Sequence, residues 1–305
     1  MKAFRPLMVL LCLFFVSTLW SQAQFSQIRM RPADVGTYPG GWASWLSAIN
    51  NFGIAGGWSY MSGSNQQHPM VVPLLGPPPR WFDLNTLGGE GDASVEGISD
   101  TGVVVGHSIT TAGDYHGFVW TVLTGMVDLG TLPYPSHTVS TAHAVNRNGT
   151  LIVGFSVDPV LDDMRAVVWT PSVYRGVLTW NIHELSATNL GTYTNGGANS
   201  VNNNGWIIGG VWGDSGWIGV VWKPVAGGSG WQAIHLQGTA NYPTVSPQHI
   251  NDNGALVATS CRLDWSNCGA SFGVPSAAPG GFTFTDLPNP WGAELGPSQR
   301  DQQFG

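Results

Sequence analysis

Five stretches share one order of apolar and polar positions: "AINNFGIAGG" (48–57), "GISDTGVVVG" (97–106), "AVNRNGTLIVG" (144–154), "SVNNNGWIIGG" (200–210) and "HINDNGALVA" (249–258). Each has an apolar residue, then Asn or Ser, two further residues, a glycine and an apolar run. The glycines are Gly53, Gly102, Gly149, Gly205 and Gly254, spaced by 49, 47, 56 and 49 residues. Asn and Gly accept positive φ, so each stretch predicts a tight turn between two strands. The runs that follow are β-branched or aromatic and four to six residues long, as buried strands are.

Other elements recur in phase. "DVGTYPGG" (34–41), "DLNTLGG" (83–89), "DLGTLP" (128–133) and "NLGTYTNGG" (189–197) precede four of the glycines, and "LQGTANY" (236–242) weakly precedes the fifth. "HPMVVP" (68–73), "HGFVW" (116–120), "RAVVW" (165–169), "IGVVW" (218–222) and "ASFGV" (270–274) follow them. In the second unit the pattern predicts strands at 92–99, 102–109, 115–121 and 125–131. Four strands per 45–50 residues is the signature of a β-propeller blade. A β-helix repeat is much shorter, and a β-sandwich requires no repeat. The expected fold is an all-β, propeller-like array over 24–305. Its units are 34–82, 83–127, 128–183, 184–234 and 235–285, with a partial sixth at 286–305. Gly305 falls where a sixth turn glycine is due, so a fragment of a longer protein is expected. "QIRMRPADVG" (27–36) resembles the end of a unit and could complete a last blade. An open arc of this kind would expose the apolar face of its terminal blade.

These motifs resemble the HAF family of extracellular repeats. Its unit runs Asp-Leu-Gly-Thr-Leu-Gly-Gly, then Ser-x-Ala-x-x-Ile-Asn-x-x-Gly-x-Val-Val-Gly, then His-Ala-Phe-Leu-Trp. The second unit matches best, with "DLNTLGG", "SVEGISDTGVVVGHS" and "HGFVW". Arg165 and Ile218 stand where the family has His. The resemblance spans nearly all of 30–290 and implies an exported, bacterial protein. It implies little about activity.

The N-terminus fits export. Lys2 and Arg5 precede an apolar run at 7–19, and Ser21 and Ala23 are the small residues of a cleavage site. A signal peptide over 1–23 and a secreted or cell-surface location are therefore expected, with no membrane span after cleavage. The mature chain keeps Cys261 and Cys268, a pair expected to form a disulfide in an oxidising compartment. Only 10% of residues are charged and the net charge is −7, which argues against a nucleic-acid partner.

Two strings suggest catalysis. "TAHA" (141–144) and "GDSG" (213–216) resemble the histidine and serine motifs of trypsin-like proteases. His143, however, occupies the same slot of the repeat as Glu96, Asn199 and Gln248. Ser215 lies in a loop, and no oxyanion hole or orienting acid can be assigned to it. No catalytic residue, metal ligand set or cofactor motif is therefore named. His68 and His116 are equivalent, and each is expected to bond neighbouring backbone. Asp83, Asp128 and Asp286 are equivalent too, and are expected to accept loop amides. Paired carboxylates for glycan hydrolysis would come from Glu90, Glu96, Glu184 or Glu294. Trp120, Trp169 and Trp222 share a core slot. Trp42, Trp45, Trp206, Trp212, Trp217 and Trp231 are the candidates for stacking on a ligand. The favoured function is a non-catalytic propeller that binds a protein or a polysaccharide; the alternative is a secreted glycan hydrolase.

Overall fold

Each unit of the repeat folds as one four-stranded antiparallel meander, and there are five among the described residues. The structure, a computed structural model, describes residues 34–75, 80–213 and 216–288. The expected signal peptide, the 27–33 segment, Asp214, Ser215, Glu294 and the sixth unit after 288 lie outside the described residues. Blade 1 is β1 (Ser44–Ile49), β2 (Ile54–Tyr60), β3 (Gln67–Pro73) and β4 (Phe82–Asp83). Blade 2 is β5 (Ser94–Ile98), β6 (Val104–Ile109), β7 (Tyr115–Thr121) and β8 (Gly125–Asp128). Blade 3 is β9 (Val139–Val145), β10 (Ile152–Asp158), β11 (Asp163–Tyr174) and β12 (Val177–Glu184). Blade 4 is β13 (Tyr193–Val201), β14 (Ile207–Gly213), β15 (Gly216–Pro224) and β16 (Trp231–His235). Blade 5 is β17 (Thr244–Ile250), β18 (Leu256–Cys261), β19 (Cys268–Pro275) and β20 (Phe282–Asp286). From blade 2 onward, the first strand of each blade packs on the first three strands of the blade before it. The result is an all-β, propeller-like array. No helix among the described residues is long and apolar enough to cross a membrane.

The turn glycines hold left-handed φ values of 72, 84, 70, 73 and 79° at Gly53, Gly102, Gly149, Gly205 and Gly254. The residue three before each glycine fixes the turn. Asn146 Oδ1, for example, accepts the amides of Thr150 and Leu151, and Ser99 Oγ accepts that of Val103. This is the local chemistry by which Asn and Ser favour turns.

The core lies between blades rather than within them. Val105 and Val119 of blade 2 pack with Ala142, Ile152, Val167 and Trp169 of blade 3. Ile208 and Val221 of blade 4 pack with Val245 and Leu256 of blade 5. Such a core requires stacking, because one sheet alone leaves an apolar face in water. Blade 5 shows this directly. Val257 and Phe272 hold the positions of Ile208 and Val221, yet they are 42% and 40% exposed where their counterparts are fully buried.

Cys261 and Cys268 form a disulfide directly across the β18–β19 pair. They close a short loop, so the expected contribution is about 2–3 kcal/mol. A Cys261→Ser, Cys268→Ser double variant should lose that much in urea unfolding. The parent should lose the same on adding a reductant.

Candidate functional site

The repeat turns gather at one end of the array. The second residue of each, namely Asn51, Asp100, Arg147, Asn203 and Asp252, joins a hydrogen-bonded chain. Asn51 donates through its backbone and side-chain N–H groups to Asp100, and Asn203 does the same to Asp252. Arg147 donates Nε to Asp100 at 3.0 Å and Nη1 to Asp252 at 3.3 Å, so one side chain ties blades 2, 3 and 5. Its guanidinium is well exposed, and exposed ion pairs contribute little. Arg147→Met is expected to lower the melting midpoint only modestly, by a difference that shrinks with added salt.

The residue six before each turn glycine is a β-bulge. Pairing with the second strand skips Ser47, Glu96, His143, Asn199 and Gln248 in the five blades. A bulge re-aims its side chain, and here it aims toward the following blade. Ser47 donates to the Val95 carbonyl, His143 Nδ1 to Ala198 O at 3.2 Å and Asn199 Nδ2 to Pro247 O at 2.8 Å. His143 is thus a joint between blades 3 and 4. Gln248 of blade 5 bonds instead to Ser246 of its own strand. Glu96 alone in this slot lacks a hydrogen to donate when ionised.

A second set of pairs joins the outer strands. His68 Nδ1 lies 3.0 Å from Asp83, His116 Nδ1 lies 2.8 Å from Asp128, and Arg165 Nη1 lies 3.2 Å from Glu184. The expected backbone partners are therefore only part of the account. Asp83 and Asp128 do accept the loop amides of Asn85 and Gly130, but the histidines bind carboxylates first. A cation facing an anion persists in blade 3 through Arg165. In blade 5 Gly269 takes the cation's slot, and Asp286 binds the Thr239 hydroxyl instead.

His116 bonds Asp128 through Nδ1 and the Thr138 carbonyl through Nε2, an arrangement that requires both ring nitrogens to carry hydrogen. The bond to Asp128 raises the imidazole above its ordinary value, against the effect of burial. Burial pushes Asp128 up, but the His116 and Gly130 bonds hold it below the usual carboxylate range. The histidine's contribution to stability is full below about pH 6.5 and is lost as pH rises through its folded value. The aspartate's is full above about pH 3.9 and is lost as pH falls. An Asp128→Asn variant should therefore fall furthest behind the parent in melting midpoint between about pH 4 and 6.5. The gap should narrow on the alkaline side.

The stacking candidates divide into three groups. Trp206 is held under Lys223, whose Nζ is 3.7 Å from the ring centroid, and beside Phe282. Trp231 donates Nε1 to Gly205 O at 2.8 Å. Both brace the turn end of their blades. Trp42 stacks on Tyr60 at 4.1 Å, and it and Trp45 lie exposed on blade 1. Trp212 and Trp217 face each other across the β14–β15 pair and line one cleft between blades 4 and 5.

That cleft has a volume of about 640 Å³. Tyr193 and Trp265 join the two tryptophans, and His235, Gln237, Thr239 and Thr244 supply polar groups. Trp212 is 51% exposed. Trp217 lies flat over Gly210, where a Cβ would sit 1.9 Å from its ring, so glycine makes the seat. The Trp217 Nε1–H is buried and has no acceptor among the described residues. None of the described residues lining the cleft is acidic.

Blades 2 and 3 form a second cleft of about 410 Å³, furnished differently. Glu96, His107, Tyr115, Val139, Thr141, His143 and Phe155 line it. Tyr115 holds the slot of Trp217, and His107 holds that of Gly210.

No protein-family model matches the chain, and no curated protein is similar to it. Among solved structures it is similar to prolyl oligopeptidase B from Galerina marginata bound to a 35mer hydrolysis and macrocyclization substrate. The identity is 9% and the TM-score 0.46, over 80% of this chain and 34% of that one. A second structure of that enzyme, with a 25mer macrocyclization substrate, gives 7% and 0.40 over 82% and 37%. The chain thus spans about a third of the length of these proteins. The architecture stated above rests on the five meanders.

The glutamates do not pair in either cleft. Glu184 is bound by Arg165 and by the Tyr134 hydroxyl, and Glu90 lies exposed on a loop. Glu96 is the one acidic residue lining the cleft between blades 2 and 3. Among the described residues no three of His, Cys, Asp and Glu gather as a metal site would require. Sequence reasoning missed the bulge role and both clefts. Their only linear signal was a slot filled by Ser, Glu, His, Asn or Gln, together with aromatic residues in the second half of it.

Proposed function

We propose that this is an exported, non-catalytic propeller of the HAF-repeat type that binds a polysaccharide in the cleft between blades 4 and 5. The observation that carries the reading is the facing pair Trp212 and Trp217, with Trp212 half exposed at the mouth of the cleft. A sugar ring offers an apolar face to stack on indole and hydroxyls for the amide and hydroxyl groups of Gln237, Thr239 and Thr244. The cleft's size and its mixture of rings with a few polar groups suit a small segment of polymer. Carboxylate pairs about 5–10 Å apart mark glycan hydrolases, and none of the described residues lining this cleft is acidic. The disulfide and the apolar start of the chain support export.

A glycan-array screen of residues 24–305, beside a broad hydrolase assay, tests the reading. Binding without turnover is expected. Trp212→Ala should weaken it on the order of tenfold, equivalent to about 1.4 kcal/mol, with an unchanged melt. Turnover of any bound glycan, or a Trp212→Ala variant that binds as well as the parent, would reject it.

A further inference from the structure

The cleft between blades 2 and 3 combines features that no other joint shares. Its bulge residue is Glu96, in a slot where Ser47, His143 and Asn199 each donate to the next blade. An ionised carboxylate cannot make that bond. A residue that breaks the local rule of a repeat points to a use beyond folding. Glu96 Oε1 stands 3.4 Å from His107 Nδ1. Tyr115 packs edge-on to His107 with centroids 5.6 Å apart, and Phe155 packs edge-on to His143 at 5.0 Å. No lysine or arginine lines the cleft.

Its carboxylate and imidazoles can supply acceptors, beside the hydroxyls of Tyr115 and Thr141. His143 spends its Nδ1–H on Ala198 O, which leaves Nε2 as an acceptor. A His107 that donates Nδ1–H toward Glu96 likewise keeps Nε2 as an acceptor. With the carboxylate, the side chains lining the cleft carry three acceptors beside the rings of Tyr115 and Phe155. A group with several N–H donors and a positive charge complements all of these at once.

We propose that this cleft is a binding site for a primary organic ammonium group, seated on Glu96 beside the rings of Tyr115 and Phe155. Protons compete with such a ligand. Burial pushes Glu96 up, against the Ser94 hydrogen bond, and pushes His143 down, against the Ala198 carbonyl. Burial and the neighbouring His143 push His107 down, while Asp92 works the other way. Near neutral pH the two imidazoles are therefore uncharged and leave room for an incoming cation. The cation in turn favours ionised Glu96. Acidification protonates all three groups and expels it.

The test uses the chain with ¹⁵N-labelled histidine rings, titrated with butylammonium or with neutral butanol at about pH 7.5 and again at about pH 5.5. Saturable movement of the His107 and His143 ring signals is expected with the amine at the higher pH only, and none with butanol. Glu96→Gln should weaken the response about tenfold. It should also melt no lower than the parent, because glutamine restores a donor to the slot. Tyr115→Leu should weaken the response without touching the carboxylate. The proposal is overturned if the amine produces no saturable shift, if butanol matches it, or if both variants respond like the parent.

Discussion

Gly154→Val is expected to unfold most of the chain. Each of the first four blades has a glycine in its second strand beside the bulge: Gly57, Gly106, Gly154 and Gly209. A Cβ there would lie 1.8, 1.9, 1.9 and 2.0 Å from the carbonyl oxygen of Trp45, Ser94, Thr141 and Gly197 respectively. The obstruction is backbone, so no rotamer relieves it, and the two strands must separate. Forcing that on a core joint should cost more than about 4 kcal/mol, a large part of a domain's total stability. Gly113→Val is the control. Gly113 has φ +94° and nothing within 4 Å of its would-be Cβ, so only about 1–2 kcal/mol of left-handed strain is at stake. Soluble yield and urea midpoints of the two variants, measured together, check the claim. A Gly154→Val chain as stable as Gly113→Val would show that the strands have slack.

Trp169→Ala should cost about 3–5 kcal/mol. Trp169 is fully buried in the core between blades 2 and 3, and its Nε1–H donates to Leu129 O at 3.0 Å. Trp222 repeats the bond one blade later, to Ser186 O at 3.0 Å. Trp169→Phe separates the two contributions. It keeps most of the apolar volume but strands a buried carbonyl, for about 1–3 kcal/mol. Trp120 shares the slot but is only partly buried, so Trp120→Ala should cost clearly less than Trp169→Ala. Differential scanning calorimetry of the three variants gives the order. Equal losses at positions 120 and 169 would show that burial does not set the effect.

The turns could be read from the chain because each carries its own physics. Gly149 needs a left-handed φ, and Asn146 folds back on the amides that follow it. Strands followed from the apolar runs, and the second unit's observed strands fall inside or match the expected spans of 92–99, 102–109, 115–121 and 125–131. His143 was harder. Its slot accepts five residue types; four of them carry a hydrogen to donate, and three give it to a carbonyl about fifty residues away. No local window holds that partner. The glycine of the second strand was visible at the end of the first four runs, yet its need comes from a carbonyl on another strand. The clefts were hidden for the same reason. Trp217 had a seat only once Gly210 lay beneath it, and Glu96 met His143 only through the stacking of two blades.

The bulge donors reach forward to the next blade, while the Trp169 and Trp222 N–H groups reach back to the stretch leaving the previous one. Between blades 3 and 4 both are present, His143 reaching forward and Trp222 reaching back, so that joint is clasped from both sides. A polypeptide emerging N-terminus first from a ribosome or a translocation pore would then close its joints in order. Each blade would receive its forward clasp only when its successor arrives. Gln248 differs from the other bulge donors in turning its amide onto Ser246 of its own strand.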